Sequence, residues 1–285
     1  MSSQSTGDNG AIRNDSGPEQ PVGPLATKAG FGSDVVAETL RALDLPYIAL
    51  NPGASYRGLH DSIVNYLGNK SPEMLLCLHE EHAIHSAQSY AKVTDKMMAA
   101  AVHSNVGLMH ATMAIFNAWC DRMPMVIMGA TGPLDAARRR PWIDWIHTST
   151  DQASMVRDMI KFDNQPTSAP AIVDAMTRAN IATRTEPQAP VYIVLDAGLG
   201  EQKLDKIPDF PDMARFQPPA SPRAQAADIA KAVGMLKAAK RPLILFGRGT
   251  RSQAAWDNRV KLAEALGACV MSDLKNGSVF PSDHP

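Results

Sequence analysis

The sequence lacks an excess of charge of either sign, a long hydrophobic run and a repeated cysteine pattern. Its 285 residues include 28 Lys and Arg against 29 Asp and Glu, a net charge of -1, so we expect neither nucleic acid nor a membrane surface as a partner. No apolar run reaches the roughly 18 residues that a membrane span needs. The three cysteines, Cys77, Cys120 and Cys269, are too scattered for a disulfide framework or a zinc site, which fits a reducing cytoplasm.

What the sequence does have is enough apolar material for a folded core. Hydrophobic residues make up 45% of the chain and charged residues 20%, which is typical of a globular protein. Residues 1–30 are rich in Ser, Gly, Asn, Asp and Pro and lack the apolar segment of a signal peptide, so they are expected to form a disordered tail. The one basic run, Arg138–Arg140, is typical of a solvated loop or a subunit contact, and its role stays open.

From Phe31 onward, strand-like and helix-like segments alternate. This alternation predicts an α/β fold, a doubly wound parallel sheet covered by helices, over residues 31–200. The expected helices start near Ser33 and near residues 58, 79, 107 and 170, and the expected strands are 47–50, 74–78, 97–102, 124–129 and 191–195.

Prolines mark the end of this domain. Five of them lie between Pro208 and Pro222, which predicts an extended linker over residues 201–222. A second helix and strand series follows over residues 223–285. About sixty residues are too few for a complete doubly wound domain, so we expect an incomplete, Rossmann-like central domain there.

Polar side chains follow three of the predicted strands. These are the segments 51–55, 79–83 and 103–105, with the sequences NPGAS, HEEHA and HSN. In an open parallel sheet, ligands bind beyond the carboxyl ends of the strands, so these segments are expected to converge at one crevice. A carboxylate, imidazoles, hydroxyls and a tight turn would then form a catalytic-looking set. Strand ends that merely meet solvent would also carry polar residues, and the residues alone leave both interpretations open.

Five segments, in this order along the chain, carry a resemblance to a known family: NPGA at 51–54, LHEEHAIHSAQSYAKVTDK at 78–96, VHSNVGLMHATMAIFNAW at 102–119, APVYIVLD at 189–196 and FPSDHP at 280–285. They resemble the thiamine-diphosphate-dependent 2-oxo acid decarboxylases and acetolactate synthases, over the N-terminal pyrimidine-binding domain and part of the central domain. The match departs from the family pattern in places. Ser89 and Asp95 stand where the family has glycine, and Leu108, Met109 and His110 replace small and polar residues.

The resemblance implies that Glu80 is the acid that activates the cofactor. The thiazolium carbon of thiamine diphosphate loses its proton to the cofactor's own aminopyrimidine, in a tautomer that is favoured by a carboxyl group bonded to the pyrimidine ring nitrogen. Glu81 is the neighbouring rival, but the family pattern places this acid directly after the histidine, which favours Glu80.

The same resemblance assigns further residues around the crevice. Asn51, Pro52 and Gly53 would approach the aminopyrimidine through the backbone, which a bulkier turn would prevent. His103 would face the substrate and relay protons. The substrate pocket would include three further residues: Ala54, Ser55 and Asn105. A benzoylformate decarboxylase has its pocket serine at the position of Ala54, so the serine of this chain comes one position later.

The family holds the cofactor diphosphate through Mg²⁺, with ligands from a Gly-Asp-Gly run and a later Asn. No such run exists in these 285 residues, so the chain itself supplies no predicted metal ligand, and the Mg²⁺ ligands are expected in a domain that this chain does not contain. Three explanations for the missing Gly-Asp-Gly run stay open: the chain is part of a longer enzyme, it is one subunit of a split enzyme, or it is a paralogue that acts as an interaction module.

The resemblance implies decarboxylation of a 2-oxo acid, carboligation, or both, by a homo-oligomer, a dimer or tetramer. Flavin (FAD) binding is possible for such a central domain but is not predicted here. The competing interpretation is a dinucleotide-binding protein, suggested by Gly247-Arg248-Gly249 after a strand. The third glycine of that motif is missing, because Ser252 takes its place.

Overall fold

The computed structural model describes residues 19–274, 276–277 and 279–285. Its centre is a six-stranded sheet with the order β2-β1-β3-β4-β6-β5, and every pair of neighbouring strands is parallel. The strands of this sheet are β1 (Tyr47–Leu50), β2 (Glu73–Leu76), β3 (Ala99–Ala101), β4 (Met125–Thr131), β5 (Asp163–Asn164) and β6 (Pro190–Asp196). The predicted parallel α/β fold is therefore confirmed.

Helices cover both faces of the sheet. Because successive side chains of a strand point to opposite faces, the strands contribute to two hydrophobic clusters in alternation: Ile48 and Leu50 face one cluster, and Ala49 faces the other. The first cluster is closed by α1, α2 and α5, and the second by α3 and α4. The helices of this domain are α1 (Gly32–Ala42), α2 (Arg57–Asp61), α3 (Glu80–Thr94), α4 (Ser104–Asp121), α5 (Ala169–Arg184) and the short α6 (Ala197–Gly200).

Several element boundaries differ from the sequence prediction. The helix expected over 58–67 is α2 followed by a π-helical turn, Ser62–Tyr66, and α4 begins at Ser104 instead of near residue 107. The prediction missed β5, a strand of only two residues. Such a strand is too short to show a periodic pattern, and the chain between β4 and β5 forms short 3₁₀ turns without one.

Tyr192 of β6 lies in the middle of the second cluster. Its ring is fully buried, and its hydroxyl accepts a hydrogen bond of 2.6 Å from Gln152 Nε2. Gly129 of β4 lies directly beside it, because a Cβ atom on Gly129 would be 1.7 Å from Tyr192 Oη. The glycine is thus required by a close approach, and it leaves room for the largest side chain in this cluster.

The two segments that were predicted to be irregular lie against the domain where the structure describes them. The predicted tail covers residues 1–30, of which 1–18 lie outside the described residues. Within the rest, Glu19 Oε2 lies 2.6 Å from His60 Nε2. The predicted linker, residues 201–222, has no β-strand or α-helix, but apolar side chains along it pack on the first cluster: Leu204, Ile207, Phe210 and Met213. The segment is therefore irregular, as expected for an extended connection, and its apolar side chains pack on the first domain.

A second unit follows the linker. It consists of α7 (Ala226–Ala238), β7 (Leu243–Phe246), α8 (Gln253–Leu266) and β8 (Cys269–Ser272), with β7 and β8 parallel. Two of its arginines contact the first domain: Arg248 donates hydrogen bonds to the carbonyl oxygens of Cys120 and Asp121, and Arg251 pairs with Asp95 at 2.8 Å.

Each arginine of the basic run in the loop after β4 makes a contact within the protein. Arg138 donates to the carbonyl oxygen of Gly198, Arg139 donates to that of Pro133, and Arg140 forms an ion pair of 2.8 Å with the buried Asp144. This ion pair and its hydrogen bonds hold the pKa of Asp144 below its usual range. The three arginines therefore fix the loop, a role that the sequence left open. Within the described part of the chain, no helix is both long and apolar enough to cross a membrane.

Candidate active site

The topology places one crevice in the first domain. The chain runs from β1 outward to β2 and then crosses to β3 on the other side of β1, so the connections leave β1 and β3 in opposite directions. Such a switch point opens a crevice beyond the carboxyl ends of the two strands. The segment 51–55 follows β1, and the segment 102–105 follows β3. Two of the three predicted polar segments therefore flank the switch point.

Ser55 and His103 are in direct contact there. Ser55 Oγ lies 2.9 Å from His103 Nδ1, although the residues are 48 positions apart in the sequence. Ser55 is buried and His103 is half-buried. Because Ser55 occupies Nδ1, the remaining ring nitrogen, Nε2, is the one left for a substrate. The serine that comes one position later than in the benzoylformate decarboxylases thus still reaches the histidine.

Gly53 supports the same histidine. A Cβ atom on Gly53 would lie 2.3 Å from His103 Nδ1, closer than any real side chain contact. The backbone of Gly53 is extended, with a φ of -156°, so the requirement for glycine is one of space. The sequence suggested that the missing side chain of Gly53 leaves space for a ligand. In the structure, the His103 ring lies in that space.

A second imidazole completes this side of the crevice. The rings of His103 and His147 have their centroids 4.7 Å apart. Burial lowers the pKa of His103, and the neighbouring His147 lowers it further, while the negative charge of Glu80 acts in the opposite direction. His103 is therefore expected to be a neutral imidazole near pH 7, which can accept a proton or donate one.

His147 is held by the residue that follows His103. Ser104 Oγ lies 2.9 Å from the backbone carbonyl oxygen of His147 and 2.7 Å from Asn105 Oδ1. Ser104 has a φ of 54°, in the left-handed region that costs a non-glycine residue free energy. Backbone strain of this kind is concentrated at functional sites. Here the strained residue connects the start of α4 to the loop after β4 through its hydrogen bond to His147.

Glu80 lies on the opposite side, as the first residue of α3. His79 caps this helix, because His79 Nδ1 accepts a hydrogen bond of 3.2 Å from the backbone N–H of Glu81. Glu80 is only 7% exposed, whereas Glu81 is half-buried. The cap therefore turns the first of the two acids into the protein.

The Glu80 carboxylate has few contacts inside the described structure. Its single hydrogen-bond partner there is His110, with Oε2 and Nδ1 3.4 Å apart, and a Cβ atom on Gly107 would lie 2.8 Å from Oε1. A buried carboxylate normally has several hydrogen bonds, so Glu80 keeps capacity for a further donor. Gly107, from the first turns of α4, provides the space that this side chain needs.

Tyr56 is a further polar group at the site. Its hydroxyl is buried and has no hydrogen-bond partner among the described residues, and its ring meets His103 edge to face at 6.2 Å. Burial raises the pKa of Tyr56 well above its usual range, and the charge of Glu80 raises it further. Tyr56 is therefore a neutral hydroxyl that lies within the electrostatic reach of Glu80.

The remaining predicted site residues have more peripheral places. Asn51 Nδ2 donates to the carbonyl oxygen of Cys77 at 3.0 Å, which ties the loop after β1 to the end of β2. Pro52 and Ala54 are exposed. Asn105 is half-buried and contacts Ser104. The structure thus brings Gly53, Ser55 and His103 together, and it places Glu80 close enough for its charge to act on His103 and Tyr56.

The sequence analysis missed Tyr56 and His147 as members of the site. Tyr56 follows Ser55 directly, but an aromatic residue near the end of a strand is usually predicted to belong to the hydrophobic core. His147 lies in a loop without a periodic pattern, 16 positions after the end of β4 at Thr131. The rule that ligands bind beyond the carboxyl ends of strands applies to β4 as well, and it was the one available signal for His147.

Comparison with known proteins identifies relatives of both units. Residues 31–155 match the family described as thiamine pyrophosphate enzyme, N-terminal TPP binding domain, and residues 229–285 match the central domain of thiamine pyrophosphate enzymes. These two matches start at or near the predicted starts of the two domains.

Among curated proteins, the chain is 26% identical over 258 residues to the acetolactate synthase large subunit of Lactococcus lactis subsp. lactis, an alignment that covers 90% of this chain and 43% of that protein. It is also 26% identical over 211 residues to the 2-hydroxyacyl-CoA lyase of Arabidopsis thaliana, which covers 72% of this chain and 36% of the lyase. The chain thus spans less than half the length of these relatives.

Solved structures share the fold. A thiamin diphosphate-dependent enzyme from Mycobacterium smegmatis superposes with a TM-score of 0.72 at 23% identity, over 90% of this chain and 47% of that chain. The benzoylformate decarboxylase from Polynucleobacter necessarius gives the same TM-score at 20% identity, over 90% of this chain and 46% of the other.

Proposed function

The chain belongs to the thiamine pyrophosphate enzyme family, and from this premise we propose that it forms the aminopyrimidine-binding side of an active site that decarboxylates a 2-oxo acid, with or without ligation of the product to a second carbonyl compound. The family match and the names of the relatives support a thiamine-dependent enzyme. The choice of reaction is our proposal. The observation that carries it is the buried Glu80 carboxylate, which faces the crevice with unused hydrogen-bonding capacity.

The crevice fits the aminopyrimidine part of the cofactor. Glu80 offers a carboxyl group to a ring nitrogen, and the buried Tyr56 hydroxyl, which has no partner among the described residues, offers a second polar contact. When bound, thiamine diphosphate supplies a carbon nucleophile that stabilises the negative charge left by loss of carbon dioxide. Ligands for its diphosphate and for Mg²⁺ are not assigned to this chain, because the Gly-Asp-Gly run is absent from its sequence.

Within this proposal, Glu80 forms the hydrogen bond to the pyrimidine ring nitrogen. Burial removes competing water, so that a hydrogen bond between Glu80 and a ring nitrogen is stronger than in solution. Gly107 leaves the space that the carboxylate occupies, because a Cβ atom there would lie 2.8 Å from Glu80 Oε1. A role as the cofactor-activating acid requires such a fixed and shielded position.

His103 serves the substrate side. Its Nδ1 is taken by Ser55, and its lowered pKa leaves the ring neutral, so Nε2 can exchange a proton with the substrate carbonyl oxygen or carboxylate. Ser55 and Gly53 orient the ring, and His147 borders it. These three residues therefore act through His103 or shape the space around it.

We further propose, following the family, that the protein works as a homo-oligomer. The substrate itself is expected to be small, and flavin binding stays a possibility that nothing in the crevice requires.

The test is an assay of this chain together with a diphosphate-binding domain, encoded by the same gene or by a partner gene. With thiamine diphosphate and Mg²⁺, the assembly should release carbon dioxide from at least one member of a panel of aliphatic and aromatic 2-oxo acids. His103→Ala should abolish this release, while Arg178→Ala, on the exposed side of α5, should not. An assembly that binds the cofactor but releases no carbon dioxide from any 2-oxo acid would contradict the proposed reaction.

A further inference from the structure

Three side chains beside the crevice have the arrangement of an incomplete metal site. His79 and Glu80 come from the start of α3, and His110 comes from α4. One ligand atom from each residue lies within 4.8 Å of the other two. Within the described ranges, they form the one group of three or more His, Cys, Asp and Glu side chains that could hold a metal ion.

One of the three distances between ligand atoms already matches a tetrahedral ion. Zinc bonds of about 2.0–2.2 Å to nitrogen and oxygen place neighbouring ligand atoms about 3.3–3.5 Å apart in a tetrahedron. Glu80 Oε2 and His110 Nδ1 are 3.4 Å apart, which matches one edge of such a site. The helix cap uses His79 Nδ1, so His79 Nε2 is the nitrogen that remains for an ion.

The carboxylate needs a positive partner. The Glu80 side chain is only 10% exposed, and its one hydrogen bond among the described residues is the long one to His110. Burial of an ionised carboxylate costs free energy unless a charge or several donors compensate it. A divalent cation would supply this compensation.

The site is open to ions on one side. The His110 side chain is 62% exposed, so an ion from solvent can reach it. The rings of His79 and His110 are stacked, with centroids 5.0 Å apart and planes only 7° apart, so their nitrogen lone pairs now run side by side. Binding therefore requires rotation of the His110 ring, which is largely exposed.

We propose that His79, Glu80 and His110 bind Zn²⁺, with water in the fourth position. Two imidazoles and one carboxylate are a ligand set that zinc uses widely. This site differs from the Mg²⁺ site expected for the cofactor diphosphate, since Mg²⁺ prefers oxygen ligands in octahedral geometry. One consequence depends on the proposed function: an ion on Glu80 removes that carboxylate from the aminopyrimidine, so Zn²⁺ and the cofactor would compete.

Metal binding can be measured on the 285-residue chain itself. Titration with Co²⁺ should produce the visible absorption bands of a tetrahedral cobalt centre, which one equivalent of Zn²⁺ should abolish. His110→Ala should weaken Zn²⁺ binding at least about tenfold, because removal of a ligand costs at least as much as removal of its supporting hydrogen bond. Glu80→Gln should weaken it as well, since an amide is a poor zinc ligand.

His82→Ala is the matched control. His82 is an exposed imidazole on the same helix, 5.8 Å from His79 between ring centroids, but it does not belong to the group of three. Its loss should leave the zinc affinity unchanged, and circular dichroism should show that all variants are folded. Octahedral cobalt spectra, or equal effects of His82→Ala and His110→Ala, would overturn the site.

The outcomes separate this site from the proposed function. Zinc binding that depends on His110, in a protein without thiamine-dependent activity, would support the metal site and contradict the function. Thiamine-dependent activity in a protein that fails to bind Zn²⁺ would do the reverse. If both hold, Zn²⁺ should inhibit the wild-type assembly, and a higher thiamine diphosphate concentration should relieve the inhibition.

Discussion

Gly107 and Glu80 lie so close that a methyl group on Gly107 would be 2.8 Å from Glu80 Oε1. The two residues belong to different helices, α4 and α3, which pack side by side over the second hydrophobic cluster. Gly107 is one of the few glycines inside a long helix of this protein, at a place where alanine would favour the helix itself. Glycine is found at this helix position because the Glu80 carboxylate occupies the space that a side chain would need.

Gly107→Ala is therefore expected to impair the site and not the fold. The new methyl group displaces the Glu80 side chain, so the cofactor-dependent activity of the assembled enzyme should fall about tenfold or more, as expected when a catalytic group is misplaced by about 1 Å. The free energy of unfolding, from urea denaturation, should change by less than about 1 kcal/mol, because the higher helix propensity of alanine offsets the tight contact of its Cβ atom, 3.2 Å from the backbone carbonyl carbon of Val102. Gly234→Ala in α7 is the control, because no atom lies within 4 Å of its added Cβ. Full activity in Gly107→Ala would show that Glu80 does not need this position.

Glu80→Gln tests the role of the acid directly. Glutamine keeps the size but cannot share an acid proton, so exchange of the thiazolium proton for deuterium in the assembled enzyme should slow about a hundredfold to ten-thousandfold. Glu81→Gln is the matched variant and should exchange nearly as fast as the wild type, because an acid in the first turn of a helix contributes only about 0.3–1 kcal/mol to the helix.

Two outcomes would contradict the assignment of Glu80. If Glu81→Gln slows exchange and Glu80→Gln does not, the acid is the neighbouring residue. If both exchange normally, the site does not activate the cofactor in the way that the family resemblance implies.

The His103 and His147 pair predicts a pH dependence. Because the pKa of His103 lies below its ordinary value of 6.5 in the folded protein, the unfolded chain binds a proton that the folded site rejects. Stability should therefore fall as the pH decreases from 6.5 toward the folded pKa, with no effect of this group above 6.5. NMR titration of the His103 ring should give a midpoint below 6.5.

His147→Gln should move that midpoint upward, because it removes the repulsion between two protonated rings. The midpoint should stay below 6.5, since burial is the larger cause of the shift. His82→Gln, on the exposed side of α3, should leave it unchanged. A wild-type midpoint at or above 6.5 would contradict the burial of His103 seen here.

Gly129→Ala is expected to destabilise the first domain. Its methyl group would overlap Tyr192, which is fully buried and cannot move without disturbing the second cluster. Overpacking of this kind costs typically about 1–3 kcal/mol, and urea denaturation should show the loss in the midpoint. An unchanged midpoint would mean that β4 and β6 can separate enough to accept the methyl group.

The 285-residue chain alone should bind thiamine diphosphate and Mg²⁺ only weakly. The residues proposed above would hold only the aminopyrimidine part of the cofactor, and the sequence lacks the Gly-Asp-Gly run expected to bind Mg²⁺. Calorimetric titration should therefore show little heat. Tight binding would reveal a diphosphate site that our sequence analysis overlooked.

The sheet was predictable because its strands are short apolar runs that end at polar residues. Tyr47–Leu50 is such a run, and the turn that follows it contains proline and glycine. The start of α4 was predicted late because Ser104 has a left-handed backbone conformation, which no residue pattern signals in a serine. Asp95, which stands in place of a family glycine, likewise has a φ of 60° at the end of α3, where aspartate tolerates the conformation.

The site was predictable only in part. The carboxyl-end rule selected the segments 79–83 and 103–105, which begin within three residues of the ends of β2 and β3, and the choice of Glu80 and His103 within them came from the family resemblance. The Ser55 contact with His103 could not be inferred, because it depends on how the turn after β1 folds against α4. His147 and His110 reach the crevice from a loop and from the second turn of a helix, where position relative to a strand end gives no information.

The direction of α3 and α4 has an electrostatic consequence for the crevice. Both helices begin there, α3 at Glu80 and α4 at Ser104, and Arg248 neutralises the far end of α4 by binding the carbonyl oxygens of Cys120 and Asp121. The peptide dipoles of a helix add up to roughly half a positive charge at its N-terminus. The backbone itself therefore produces a positive field near the His103 ring, which acts in the same direction as its burial and opposes protonation of the imidazole.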